Sequence, residues 1–238
     1  MSGASGELYA GTRRRLSGIY AKYQPLVFAG CLLLVVIIGF SVLSPAFLSL
    51  SNFRNILLST SILMIASSGA ALIIIMGSID LSVGAIATMA GLLTSFFVPQ
   101  LGVFAIFVGV PVGLLFGCIN GLLHVYLQIP SILVTLGTAT SISGLVLFIS
   151  DGRSLPVWNK SFDAIAMGEP IPFVSNLMLI GIVLYFVMHH IDKNTRLGRA
   201  AFAIGGDEMT AKLLGVRVRK YKIQLFTLCG LMAGIAGA

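Results

Sequence analysis

The chain is dominated by apolar runs of about 16 to 22 residues separated by brief polar breaks, the length a helix needs to cross a bilayer. Strands of a membrane barrel would alternate apolar and polar residues, and these runs do not. Only 10% of the residues are charged and 57% are hydrophobic, against roughly 25% charged in soluble domains. The expected fold is an all-α membrane protein, a polytopic helical bundle.

The runs cover residues 26–43, 55–76, 83–98, 101–122, 131–149 and 173–190, with a last one starting at Ile223, which makes about seven spans. Ser44-Pro45 should end the first and Pro99-Gln100 the third, because proline disfavours helix at the residue before it. Ser51 or Asn52 is expected to cap the second. Ser67, Ser68, Gly69, Ala70 and Ala71 form a small-residue patch inside it that permits close helix approach. Pro111 should kink the fourth unless neighbours satisfy the freed carbonyl. The seventh run reaches only to Ala238, and the expectation is a domain that continues beyond this residue.

The net charge of +7 is read by position. Residues 1–24 form a basic tail with Arg13, Arg14, Arg15 and Lys22, and residues 25–238 form the membrane domain. The loop at 191–222 holds eight of the fifteen Lys and Arg residues, and the Ser150–Pro172 segment holds only Arg153 and Lys160. Lys and Arg accumulate on the cytoplasmic side of a membrane, so the tail and the 191–222 loop are expected inside and Ser150–Pro172 outside. Six crossings between tail and loop agree with that. Arg13–Arg15 precede an apolar run too long for a cleavable signal, so the first span should be retained. No aromatic-interleaved basic patch points to nucleic acid.

Cys31, Cys118 and Cys229 sit in or beside apolar runs and form no CxxC pair, so they read as small buried residues. His124 lies alone at a helix end. His189 and His190 suit the C-terminal end of the sixth helix dipole, and no third metal ligand is near them in sequence. The chain has no GxxxxGK[ST], HExxH or GxSxG, so no catalytic constellation and no bound cofactor are expected.

Asp80, within GSIDLSVG (Gly77–Gly84), is the only acidic residue between the first and fifth spans. Two readings stand. Asp80 or Ser82 can cap the third helix, since either side chain can accept from free backbone N–H groups. Alternatively, a broken segment between two spans is how transporters build gating elements, and ionisable groups at membrane depth are functional candidates. Ser82, Asn120, Thr135 and Thr138 are further path candidates, although hydroxyls on membrane helices usually bond their own backbone. In the basic loop, Asp207 can start a short helix and Gly215 can end it. Met209, Leu213 and Leu214 would give that helix a small apolar face suited to a groove on a partner protein.

Four stretches together resemble one family. GSIDLSVG is similar to the GGIDLSVG signature of permease subunits of bacterial ABC importers of the ribose, xylose and rhamnose type. NGLLHVYLQIPSILVTLGT (Asn120–Thr138), SDGRSLP (Ser150–Pro156) and NTRLGRAAFAIGGDEMTAKLLGV (Asn194–Val216) resemble further segments of that family, in order. The resemblance implies a type II importer-like permease of roughly ten spans, of which this chain would hold about seven. It implies a second permease subunit, identical or different, two cytoplasmic ATPase subunits that bring ATP and Mg, and an extracytoplasmic sugar-binding protein. It implies a bacterial inner-membrane location with the N-terminus cytoplasmic. It also makes Asn194–Val216 the ATPase-coupling element, with Gly198, Arg199, Gly205, Gly206, Asp207, Ala211, Leu213, Leu214 and Gly215 as its candidate residues. Ser78 departs from the signature's second glycine, and Asp207-Glu208 replaces a typical Asn and small residue. The expected function is thus the translocation path of an ATP-driven monosaccharide importer. The alternatives are an ABC permease for another small polar solute such as a nucleoside or sugar alcohol, an ion-coupled secondary transporter, and a non-transporting fragment.

Overall fold

The computed structural model describes Gln24 and residues 26–157, 159–170 and 174–238. Most of the basic tail, with Arg13–Arg15, and also Trp158 and Pro172 lie outside the described residues. Two compact units divide the chain at Asn55.

The first unit carries α1 (Leu26–Leu43) and the start of α2 (Leu50–Ile75). The Ser49 hydroxyl accepts the N–H of Asn52 at 3.2 Å, so the start of α2 is held by Ser49, not by the expected Ser51 or Asn52. The helix therefore begins five residues earlier than the apolar run that announces it. Phe40 and Phe47 stack at 5.6 Å across the intervening turn.

The second unit holds the rest of α2, then α3 (Val83–Leu101), a 3-10 turn (Gly102–Ala105), α4 (Ile106–Tyr126), α5 (Ser131–Ser150), α6 (Lys160–Met167), α7 (Asn176–Asn194), α8 (Arg196–Gly206), α9 (Glu208–Leu213) and α10 (Val218–Gly237). Helices occupy all seven places marked by apolar runs. Leu26–Leu43, Leu50–Ile75, Val83–Tyr126 and Ser131–Ser150 are apolar and long enough to cross a bilayer. The third of these would be about 66 Å long if straight, at 1.5 Å per residue. It is bent back at Gly102 (φ 56°), and Gly109 of α4 rests against Thr94 and the Ala90 carbonyl of α3.

Pro99 does not end α3, which runs through it to Leu101. A proline in the last turn removes one hydrogen bond and leaves its own φ helical, so the stop passes to Gly102. Pro111 falls in the second turn of α4, because that helix starts at Ile106 and not at Leu101. The helix continues through it to Tyr126.

The α4–α10 pair is the most extensive contact in the unit. Gly109, Gly113, Gly117 and Gly121 recur every four residues and line one face of α4. On α10, Gly230 and Gly234 meet them. A Cβ at Gly113 would strike the Gly230 carbonyl, and one at Gly117 the Phe226 carbonyl. Lipid supplies no hydrophobic drive between helices, so such backbone-to-backbone approach, rich in dispersion contacts, holds them. Of the small-residue patch on α2, Gly69 is buried, against Met232 and Cys229 of α10. The main apolar core joins Ile65, Leu72 and Ile73 of α2 to Leu225, Phe226, Cys229 and Met232 of α10, with Ala200, Ala201 and Ile204 of α8.

α6 and α8 are two helices that hydrophobic runs do not announce. Asn159 caps α6 through bonds from the N–H groups of Ser161 and Phe162. Thr195 caps α8 through those of Leu197 and Gly198. The loop expected at 191–222 is mostly helical, since α7 runs to Asn194 and α10 begins at Val218.

Candidate functional site

The break between α2 and α3 is built from glycine geometry and borrowed hydroxyls. Gly77 takes φ +81°, and the N–H groups of Ser78 and Gly77 bond to the carbonyls of Ile73 and Ile74 at 3.0 and 2.9 Å. This is a Schellman stop, which needs the left-handed conformation that glycine adopts freely. Ser78 carries no positive φ, so its side chain is tolerated beside it.

Beyond Gly77 the backbone has no helical partner, and α5 supplies one. The Ser131 hydroxyl accepts the N–H of Ile79 at 3.2 Å, and the Thr135 hydroxyl accepts that of Leu81 at 3.1 Å. Asp80 Oδ1 accepts both the N–H of Ser82 at 2.8 Å and its hydroxyl at 2.6 Å. Asn120 of α4, fully buried, donates Nδ2 to Ser82 Oγ at 2.8 Å. The fully buried Cys229 on α10 brings its thiol to the carboxyl of Asp80. Asp80 Oδ2 and Asn120 Oδ1 are buried and accept no hydrogen bond among the described residues.

Four of the five expected path residues, Asp80, Ser82, Asn120 and Thr135, therefore meet at one place. Thr138 does not, because its hydroxyl bonds back to the Thr135 carbonyl at 3.1 Å. The helix-capping expectation takes a different form. Ser82 occupies the N-cap of α3 without a side-chain bond to the helix, and Asp80 holds the turn before it. Ser131 is not singled out in the sequence, and Cys229 reads there only as a small buried residue. Ser131 follows Pro130 at a helix start, which is a readable signal; Cys229 has none, as it arrives by packing alone.

The second part of the site lies at the same end of the bundle. Gly205, near the end of α8, sits against the carbonyl of Ile75, the last residue of α2, and its Cα approaches Gly77. Gly198 is buried against the backbone of Asp192, while Arg199 is exposed and donates to the Asn194 carbonyl at 3.3 Å. Gly206 ends α8 and is exposed.

α9 follows as the sequence predicts. Asp207 Oδ1 accepts the N–H groups of Met209 and Thr210 at 2.8 and 3.2 Å, and Thr210 Oγ1 donates to Oδ2 at 2.8 Å. The Thr210 hydroxyl, then the Thr210 and Met209 N–H groups, hold this carboxyl below its ordinary range. Gly215 (φ +83°) closes the helix, with the Val216 and Gly215 N–H groups bonded to Ala211 and Lys212 carbonyls at 3.0 and 3.1 Å. Ala211 is buried and seats the helix, and Glu208 ties it to Lys222 of α10 at 2.7 Å. Met209, Leu213 and Leu214 are 67%, 80% and 79% exposed, an apolar face that the described residues leave uncovered.

No described group of His, Cys, Asp and Glu side chains could hold a metal ion. His124 bonds its Nδ1 to the Ile129 carbonyl at 2.8 Å and packs its ring on Phe226 at 5.7 Å.

Apolar helices, a backbone seam of glycines and a hydroxyl-stitched break between α2 and α3 define a polytopic helical membrane protein. The chain belongs to the family described as branched-chain amino acid transport system / permease component, which matches residues 52–238. It is 34% identical over 230 residues to a probable ABC transporter permease protein of Sinorhizobium fredii, covering 95% of this chain and 68% of that one. It is 33% identical over 237 residues to the ribose import permease protein of Bacillus subtilis, covering 95% of this chain and 70% of that one. The D-allose transport system permease protein of Escherichia coli is 33% identical over 222 residues, 87% of this chain and 64% of its own length. No solved structure matches the chain.

Proposed function

We propose that this chain is the membrane-spanning permease subunit of an ATP-driven importer of a monosaccharide, a pentose or a related sugar. The observation that carries the sugar is the set of ribose and allose permeases among its relatives, similar over most of this chain. The chain crosses the bilayer seven times in this reading, through α1, α2, α3, α4, α5, α7 and α10. The N-terminus and the α8–α9 end face the cytoplasm of a bacterial cell, because Lys and Arg collect there. α9 is the ATPase-docking element, supported by its self-contained caps and its bare apolar face. Two ATPase subunits bring ATP and Mg, a second permease subunit completes the path, and an external binding protein delivers the sugar. The Asp80–Ser82–Asn120–Thr135 cluster lies at the inner end of α3 and gates the path.

The test is uptake into proteoliposomes holding this chain, the cognate ATPase and binding protein. Labelled ribose, allose, a nucleoside, a sugar alcohol and leucine are compared. Sugar uptake that requires ATP and survives a protonophore supports the proposal. Uptake abolished by the protonophore alone overturns it in favour of ion coupling through Asp80. Leucine or nucleoside uptake without sugar uptake overturns the substrate class.

A further inference from the structure

The basic residues around the start of α10 do not simply spread into solvent. They converge on a cavity of about 1120 Å³, walled on one side by the end of α4 and its turn to α5, and on the other by α9 and the first turns of α10. Lys212, Arg217, Arg219 and Lys220 line it, and no carboxylate among the described residues pairs with any of them. Lys222 lines it as well but is held by Glu208, the one acidic residue of the wall. His124 lines it too, with its Nε2 buried and no hydrogen-bond partner for it among the described residues.

The helix behind these charges makes the imbalance worse. α10 has no side-chain cap and no acidic residue in its first turn. The N-terminal end of a helix carries a partial positive charge, so cations gathered there raise the local potential instead of offsetting it. Positive-inside bias explains a surplus of Lys and Arg beside a span. It does not explain their convergence on one concavity at a helix N-terminus that lacks a matching carboxylate.

The location selects the ligand. Helix α4 ends at Tyr126, which with Leu127 is exposed by 64% and 59%, and the apolar run of α10 starts at Ile223. The cavity thus opens where apolar surface gives way to polar, the level of phospholipid phosphates, where tyrosines also concentrate. We propose that it binds a phosphate-bearing anion, and that in the membrane this anion is the headgroup of an acidic phospholipid. An arginine fork can take two phosphate oxygens, lysines add point charge, and the N-terminal end of α10 adds its partial positive charge. Because the walls come from both α9 and the α4–α5 turn, one bound headgroup would tie the two together.

The chain, purified in mild detergent and stripped of lipid, is offered vesicle lipid that is either phosphatidylglycerol or phosphatidylcholine. Retained lipid is counted by native mass spectrometry. Phosphatidylglycerol should be retained in preference, and Arg219→Gln/Lys220→Gln should lose roughly thirtyfold in affinity for it. Lys212→Gln/Arg217→Gln, in α9 and just before α10, should do the same if the first pair folds poorly, while Arg153→Gln/Lys160→Gln should bind as before. Equal retention in the wild type and both cavity variants would overturn the site. Inorganic phosphate or ATP that stabilises the lipid-free chain as well as phosphatidylglycerol does would overturn the lipid as its source. The readout needs neither transport nor ATPase, so it stands or falls apart from the proposed function.

Discussion

Gly205 lies against the carbonyl of Ile75 with no room for a Cβ between them. The end of α8 therefore touches the end of α2 just before Gly77, where the hydroxyl-stitched segment begins. Gly205→Ala must separate the two, and overpacking of this kind costs about 1–3 kcal/mol. The adjacent Gly206 faces open space, so Gly206→Ala should be neutral. Thermal unfolding in detergent checks the pair. Equal melting temperatures would mean that the two helix ends part without cost.

Asp80→Asn keeps an oxygen for both the N–H and the hydroxyl of Ser82, and should fold like the wild type. Asp80→Ala leaves the N–H of the fully buried Ser82 unpaired and should lose about 1–3 kcal/mol. If Asp80→Asn is stable yet abolishes ATP-driven uptake, the charge itself acts in the path.

Leu213 and Leu214 are largely exposed among the described residues. Replacing both with Asp should leave the melting temperature unchanged and release the ATPase during co-purification. An undiminished ATPase yield would move the docking surface away from α9.

The carboxyl of Asp207 is held below its ordinary value of 3.8 by hydrogen bonds that require it ionised. The sign follows from that. Its contribution to α9 is complete above 3.8 and is lost only as pH falls through the lowered value. ATPase retention should thus be flat from neutral pH down to the ordinary carboxyl range. Asp207→Ala should weaken retention at every pH in that window, and Asp207→Asn should largely restore it, since Asn caps comparably.

Gly230 faces Gly113 and Gly117 across the α4–α10 seam, while Gly137 and Gly144 on α5 have nothing within 4 Å of a built Cβ. Gly230→Val should abolish stable expression; Gly144→Ala should not. Detergent-extractable yield reports both.

Much of this architecture is written locally in the sequence. Apolar runs specify membrane helices because a bilayer imposes length and composition residue by residue. The α9 helix was legible for a related reason, as Asp207 and Gly215 carry its caps within the segment itself. α6 and α8 were not, because a short amphipathic helix is set by what its inner face packs on, as Ala200, Ala201 and Ile204 show. The hydroxyl cluster was legible as a set of residue types and illegible as a place. Thr135 reaches Leu81 across 54 positions of sequence, and no pattern near either residue records that pairing. The Ser49 cap was missed because the apolar run starts after the helix does.

The glycine seam has one consequence for motion. Where α4 and α10 meet, main chain lies against main chain, with few side-chain rotamers between them to readjust. Such a joint can neither slide by a fraction of a turn nor open without losing all its contacts together. α4 and α10 must then travel as one strut. In the proposed function, any change of access from one side of the membrane to the other falls to the elements that border the strut, above all the segment at 77–82, whose hold on α5 is one hydroxyl at Ile79 and one at Leu81.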